Sequence, residues 1–366
     1  MIAILKKCAL GVALIAISAA ILLYSDFSSR ITSAGAQGNA GRPRKVALVQ
    51  VSSIPALDDG MNGMLEQLAH RGYADGGRIT LRRYNAEGDI SVANAIAKEV
   101  TSGDSDLIVS LSTISLQTIA NANKFATPPR RHVFGLVSDP YAVGVGISRE
   151  NHLNHPPYMT GVGSLAPVEQ LFQLAKQLNP SLKKVGLVWD PSEGNSVVTT
   201  NVGRSVCAKM GITLEEANAE DATAIGDAVS AVISRKVDAI WVSPDVVALR
   251  GIEVIRQKAA TARIPVFSST PNADSKRLFD LGANYRALGH VIGDIAADVL
   301  EGRNPASIPV ENVMPISLHI NRTALKGLRD HWIIPDTVVQ KADVVIDETG
   351  RHENPAAEAA AAKGSK

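Results

Sequence analysis

From Lys45 onward the chain alternates short runs of β-branched and other apolar residues with stretches of helical apolar spacing, and it does so twice. Residues 46–51, 79–84, 107–111 and 133–137 are predicted strands, separated by predicted helices over 57–71, 91–101 and 115–124. The second series has strands over 185–189, 212–216, 237–242 and 264–267, with helices over 195–210, 222–234 and 246–262. Most of these strands are continuous apolar runs. A strand of that kind is buried on both faces, the condition of a parallel sheet covered by helices. The pattern is that of an α/β protein.

The two series match each other in order. Lys45-Val46-Ala47-Leu48-Val49 has its counterpart in Lys184-Val185-Gly186-Leu187-Val188, and Asn85-Ala86-Glu87 in Asn218-Ala219-Glu220. The run from Asp106 to Ser110 likewise matches the run from Asp238 to Val242. Two lobes of similar build in tandem are expected, in keeping with 366 residues, which suit two domains better than one. After Phe267 too little chain remains for a third lobe. A helix over 285–302, a connector over 305–315 and a strand over 316–320 should return to the existing lobes, so that the chain crosses between them near 160–163, 282–284 and 313–315. The lobe boundaries that follow are 44–162 with 285–312 for the first lobe and 163–284 with 313–346 for the second. The Ala/Glu/Lys-rich end, residues 347–366, is expected to be a disordered tail.

The segment before Lys45 reads as an export signal. Lys6 and Lys7 precede an uncharged apolar run of 17 residues from Cys8 to Tyr24, and a Ser/Gly/Ala-rich stretch follows to Gly41. The lysines would stay cytoplasmic and send the rest outward. Two readings stay open for residues 1–43: cleavage at Ala34-Gly35-Ala36, or an uncleaved anchor in the inner membrane with a linker. The formal net charge is +1, and no basic stripe of the kind a nucleic-acid reader carries is present. Two cysteines, Cys8 and Cys207, exclude a disulfide scaffold or a cysteine-built zinc site.

Open parallel sheets bind ligands outside the carboxyl ends of their strands, where helix N-termini converge. Here those ends are rich in Ser, Thr, Asp and Asn: residues 52–58, 110–115, 138–140, 190–196, 243–245 and 268–270. Any single residue of the set could merely cap its helix. Six polar loops on one edge exceed what capping needs, and free helix N–H groups there suit an anion. Two aromatic residues, Trp189 and Tyr141, adjoin these loops.

The set Val-Ser-Asp-Pro at 137–140, Asp-Pro-Ser-Glu-Gly-Asn-Ser at 190–196, Ser-Pro-Asp at 243–245 and Gln-Val-Ser-Ser-Ile-Pro-Ala-Leu-Asp at 50–58 resembles the substrate-binding proteins of ABC importers of the tryptophan/tyrosine type. The resemblance spans about residues 45–346. It implies the type 1 periplasmic-binding fold, two Rossmann-like lobes with parallel sheets joined by a three-stranded hinge. It also implies a bound amino acid or similar small molecule, aromatic in known members, handed to an ABC permease and its ATPase. Around the ligand it would place Ser112, Thr113, Asp139, Glu193, Asn195, Ser196 and Asp245. In that arrangement Thr113 and first-lobe helix N–H groups hold a carboxylate, and Asp139, Glu193 or Asp245 faces an ammonium. Three positions differ from the family's usual residues: Ile54 stands for His, Ser138 for Thr, and Asp245-Val246 for Asp-Asn.

Enzyme motifs are not the better reading. No Walker A or G-x-S-x-G sequence occurs, and the glycine pairs at 144/146 and 161/163 lack the rest of a dinucleotide fingerprint. Ser181-Leu182-Lys183-Lys184 fits S-x-x-K without its companion motifs, and Lys184 opens a strand. His152 and His155 flank a Pro-Pro loop rather than a ligand-bearing helix. His290 and His319 read as ordinary helix and strand residues. The expected role is therefore a periplasmic or otherwise extracytoplasmic receptor of an importer, without catalysis, cofactor or metal. A membrane-anchored ligand sensor of the same fold is the alternative.

Overall fold

The computed structural model describes residues 42–272 and 276–354; the expected export segment and the last residues of the expected tail lie outside them. The chain runs β1 (Arg44–Gln50), α1 (Pro55–His70), β2 (Ile79–Asn85), α2 (Ile90–Ser102), β3 (Leu107–Leu111), α3 (Thr113–Asn123), β4 (His132–Val137) and β5 (Met159–Gly163). It continues through α4 (Val168–Leu178), β6 (Lys184–Trp189), α5 (Gly194–Lys209), β7 (Thr213–Asn218), α6 (Ile225–Ser234), β8 (Ala239–Val242), α7 (Val246–Arg250), α8 (Ile252–Thr261), β9 (Val266–Ser268) and β10 (Phe279–Ala283). The remainder is α9 (Tyr285–Glu301), β11 (Glu311–Asn312), β12 (Ile316–Asn321), α10 (Asp336–Val339), β13 (Val344–Asp347) and β14 (Gly350–Glu353).

These strands form two sheets. The first has the order β11-β5-β4-β3-β1-β2, parallel throughout. The second has the order β14-β13-β12-β10-β9-β8-β6-β7, antiparallel at β10/β12 and β13/β14. Each sheet with its covering helices is a lobe, and the chain is an α/β protein of the type 1 periplasmic-binding fold. The chain passes between the sheets after Gly163, after Ala283 and after Asn312. The crossing segments bond to one another: Val313 N–H donates to the Gly163 carbonyl (2.9 Å), and Asn284 N–H to the Pro315 carbonyl (2.6 Å).

The tandem likeness has a physical basis. Lys45 N–H donates to Asp106 Oδ2 and Lys184 N–H to Asp238 Oδ2, both at 2.8 Å. In return Asp106 N–H donates to the Lys45 carbonyl and Asp238 N–H to that of Lys184. At the other end of the strands, Ala86 N–H reaches the Gln50 carbonyl and Ala219 N–H that of Trp189. The paired Lys, Asp and Asn-Ala positions are thus where each sheet registers its central strand.

In the first lobe β1, β3 and β4 are apolar and buried, and α1 and α9 pack over them. The two helices meet through glycines. A Cβ at Gly289 would sit 2.1 Å from the Gly60 carbonyl oxygen, and one at Gly63 would sit 2.1 Å from that of Arg286. In the second lobe Phe172, Trp241, Phe267 and Phe279 form a contiguous aromatic core with ring centroids 5.0–5.7 Å apart.

Three local expectations are corrected. The helix expected over 246–262 is two, divided at Gly251, whose backbone leaves the α conformation and packs so close to Ile225 that a Cβ would lie 2.8 Å away. The strand β10, the amphipathic helix α4 and the strand β13 go unnamed in the pattern reading. The expected tail begins too early: Asp347 accepts the Thr349 N–H (2.8 Å) in a tight turn, and β14 pairs back on β13.

The glycine contact between α1 and α9 yields a prediction. Gly289→Ala forces two backbones apart and should lower the unfolding free energy by about 1–3 kcal/mol. Gly226→Ala, in α6 with its nearest neighbour atom at 3.7 Å, should be neutral or gain up to about 1 kcal/mol. Urea denaturation of both variants checks the contrast.

Candidate functional site

In each sheet the strand order reverses beside the first strand: β1 lies between β3 and β2, and β6 between β8 and β7. At such a point the connections leave in opposite directions and open a crevice at the carboxyl edge. The two crevices face each other. Between them is a cavity of about 30 Å³ lined from one side by Ile54, Leu57, Ser112, Thr113, Leu136 and Ser138, and from the other by Asn195, Pro244, Val246 and Leu249. Ser164, just past a crossing segment, and Tyr285, the first residue of α9, complete the wall. A larger concavity, about 720 Å³, lies on the outer surface between α2 and α3 beside Phe125, Lys98 and Arg130. It is open to solvent and touches neither switch point, so the smaller inter-lobe cavity is the better candidate.

The lobes are in contact around it. Arg250, at the end of α7, donates from Nη1 to the Glu87 carbonyl across the mouth (2.9 Å). Gly88 leaves space for that guanidinium, since a Cβ there would lie 2.2 Å from Nη1. A cavity of this size holds little more than water. A ligand of amino-acid size enters only if the lobes part.

The first-lobe wall is strained. Ser112 has φ 124° and Leu136 φ 55°, both in the left-handed half of backbone space that non-glycine residues avoid. They end β3 and interrupt β4, where the pairing with β5 shifts register between Phe134 and Val137. Strain of this kind costs about 1–3 kcal/mol per residue and persists where surrounding structure imposes it, often at binding sites. Here it turns the chain sharply so that α3 starts against the cavity. Ser112 Oγ accepts the Ser115 N–H (3.1 Å), and the Ser112 carbonyl accepts that of Leu116. The N–H groups of Thr113 and Ile114, which open the helix, have no intrahelical acceptor. Thr113 is 3% exposed, and its Oγ1 is buried without a hydrogen-bond partner.

In the second-lobe wall the start of α7 is satisfied from within. Glu193, just before α5, accepts the Val246 and Val247 N–H groups (3.0 and 3.3 Å) and the Asn195 side-chain amide (3.1 Å). Asp245 accepts the Ala248 N–H (2.6 Å), the Asp190 N–H (2.7 Å) and the Ser196 hydroxyl (2.6 Å). Together the two carboxylates cap the first turn of α7. Asn195 also donates to the Pro244 carbonyl (2.7 Å), tying the start of α5 to that of α7. Burial, then the neighbouring charge of Asp245, pushes the Glu193 carboxyl above its ordinary value, and burial does the same to Asp245.

Of the residues expected around a ligand, Ser112, Thr113 and Asn195 line the cavity. Glu193, Ser196 and Asp245 stand behind the wall and brace it. Asp139 is turned aside: it accepts the Tyr141 N–H (3.1 Å) and pairs with Arg149 (2.6 Å). Each of the three carboxylates expected to face an ammonium also accepts hydrogen bonds from the protein itself. Trp189 and Tyr141 do not line the cavity. Tyr285 does, and the pattern reading passes over it because its position depends on the crossing that precedes α9. Among the described residues no group of His, Cys, Asp and Glu is placed to hold a metal ion, and no helix is long and apolar enough to cross a membrane.

The raised Glu193 carboxyl carries a testable sign. Between its ordinary value of 4.5 and about 8, the folded protein holds a proton that the unfolded chain releases, so stability falls as pH rises through that window. Glu193→Gln keeps an acceptor for α7 and cannot ionise. Its unfolding free energy should fall less than the parent's between pH 5 and pH 8. Parallel curves would contradict the assignment.

Comparison with known proteins agrees with this geometry. A tyrosine-binding protein of Clostridioides difficile is 26% identical over 298 residues, 81% of this chain and 84% of its own length. An ABC domain from Streptococcus pneumonia, solved in complex with L-Trp, is 26% identical with a TM-score of 0.76, over 83% of this chain and 100% of that one. A ligand-free, open substrate-binding protein with adhesive properties from Clostridium difficile, also 26% identical, has a TM-score of 0.58 over 78% of this chain and 96% of that one. The family model for the ABC transporter substrate binding protein matches residues 45–346, nearly the whole of the two lobes, and the chain belongs to that family.

Proposed function

We propose that the protein is the extracytoplasmic receptor of an ABC importer, and that it closes its two lobes on a small carboxylate of amino-acid size and delivers it to a permease and its ATPase without chemical change. The observation that carries the reading is Thr113. A buried hydroxyl with no partner is costly, and this one lies at the open start of α3, on a wall shared by both lobes. A ligand carboxylate at that point would accept from the hydroxyl and from the free N–H groups of Thr113 and Ile114. Ser112 and Asn195 contact the same ligand from opposite lobes, while Glu193, Ser196 and Asp245 hold α7 in place. The apolar body of the ligand rests on Ile54, Leu57, Leu136, Val246, Leu249 and the Tyr285 ring.

Contacts from both lobes make ligand binding and closure one equilibrium, because only the closed form offers both walls. The relatives support this: at equal identity, the L-Trp complex is more similar in overall arrangement than the open, ligand-free protein. The three crossing segments are the natural hinge. The lobes divide at residues 44–162 with 285–312 and 163–284 with 313–346.

Two measurements test the proposal. Thr113→Val keeps the shape of the side chain and removes the unpartnered hydroxyl. It should melt at the same temperature as the parent or higher, yet lose about tenfold or more in ligand affinity by calorimetry, the worth of one hydrogen bond to a charged group. Unchanged affinity would remove the carboxylate from this site. In small-angle scattering, saturating ligand should reduce the radius of gyration; an unchanged profile would remove the closing mechanism.

A further inference from the structure

We infer that Arg250 is a latch across the mouth of the cleft: its guanidinium, carried by the second lobe, holds the Glu87 carbonyl of the first and raises the closed population of the protein with or without ligand. The inference rests on the reading that the lobes open and close, and on nothing about the ligand itself. Its ground is the way both halves of the contact are built.

The first-lobe half is a turn that presents one carbonyl. Glu87 (φ 50°) and Gly88 (φ 81°) are both left-handed, a conformation that glycine takes freely and other residues avoid. Hydrogen bonds within the lobe fix it: Glu87 N–H donates to Asn85 Oδ1 (3.0 Å), Gly88 N–H to the Val51 carbonyl (2.8 Å) and Asp89 N–H to the Ala86 carbonyl (2.9 Å). Asp89 then caps α2 by accepting the Ser91 and Val92 N–H groups. The Glu87 carbonyl accepts from the other lobe instead, through Arg250 Nη1 at 2.9 Å. Glycine at 88 admits the guanidinium, since a Cβ would lie 2.2 Å from that nitrogen.

The second-lobe half is anchored at its base. Arg250 ends α7, whose first turn is held by Glu193 and Asp245, and the next residue, Gly251, donates its N–H to the Val247 carbonyl (3.0 Å). Arg250 itself does not line the cavity. The contact therefore closes without any ligand group and breaks when the lobes part. An ionised donor strengthens a hydrogen bond to a carbonyl. A bond made only in the closed form multiplies the closed-to-open ratio, and in the ligand-free protein it makes opening a gate to the cleft.

Pulsed electron paramagnetic resonance on the ligand-free, full-length protein tests the latch. Nitroxides at Ser91→Cys in α2 and Gln257→Cys in α8, both exposed and on opposite lobes, report the width of the mouth. Cys8→Ser removes one native thiol from labelling, and Cys207 is buried. Arg250→Ala should lower the ratio of short to long distance by about three- to tenfold, the worth of one hydrogen bond, while melting with the parent. Glu87→Asn tolerates the left-handed turn and keeps the carbonyl while removing the charge, so its ratio should match the parent's. Equal opening in Glu87→Asn would assign the contact to the carboxylate and overturn the carbonyl latch. Two distances in unchanged proportion in Arg250→Ala, or a single long distance in both proteins, would overturn the latch and leave ligand-driven closure standing. A single short distance in both would overturn it together with the parting of the lobes.

Discussion

Most of the parallel strands in this protein deliver the chain to the start of a helix, and the start of a helix is a row of N–H donors with no acceptor of their own. Those donors converge between the two sheets, and how they are satisfied decides what the cleft can do. In the second lobe the start of α7 is met internally, by Glu193 and Asp245, while α5 has no side-chain cap. In the first lobe Ser112 meets the donors of Ser115 and Leu116, and those of Thr113 and Ile114 are left over. The start of α7 is capped, and the starts of α3 and α5 keep donors free.

That asymmetry explains several features that otherwise look unrelated. The two acids sit together in spite of their mutual repulsion because each is needed at α7 and each is surrounded by donors. Burial, and after it the neighbouring Asp245, raises the Glu193 carboxyl. The positive φ at Ser112, the residue that caps α3, is the cost of bringing that helix to the cavity edge. Arg250 carries the arrangement to the mouth of the cleft, since the helix braced by Glu193 and Asp245 ends in the side chain that reaches Glu87. One short helix thus supplies part of the cavity wall and the inter-lobe contact, and the brace holds its first turn.

Much of the fold was legible in the sequence. Strand and helix periodicity marked most elements, and the matched Lys, Asp and Asn-Ala positions marked the tandem because they make the same hydrogen bonds in both sheets. What was missed lies where tertiary packing accompanies a departure from local pattern: the break at Gly251, packed against the side chain of Ile225, and the β13–β14 turn in an unpromising polar stretch. At the site the residue types were legible and their roles were not. Glu193, Asn195 and Asp245, singled out by their loops, meet at the starts of α5 and α7. Which of them faces a ligand and which faces a helix end depends on the start of α7 and on Arg149, neither of which periodicity reveals. Tyr285 entered the wall through a chain crossing that places it far from its neighbours in sequence.

The claim on which the rest depends is that ligand binds between the two carboxyl sheet edges. A crystal structure of the protein with a ligand identified by calorimetry tests it most directly. The account predicts ligand density enclosed by Thr113 and Ser112 on one side and Asn195 and Val246 on the other, with the ligand carboxylate within hydrogen-bond distance of Thr113 Oγ1. Density in the outer concavity beside Phe125, with the cleft unfilled, would contradict it.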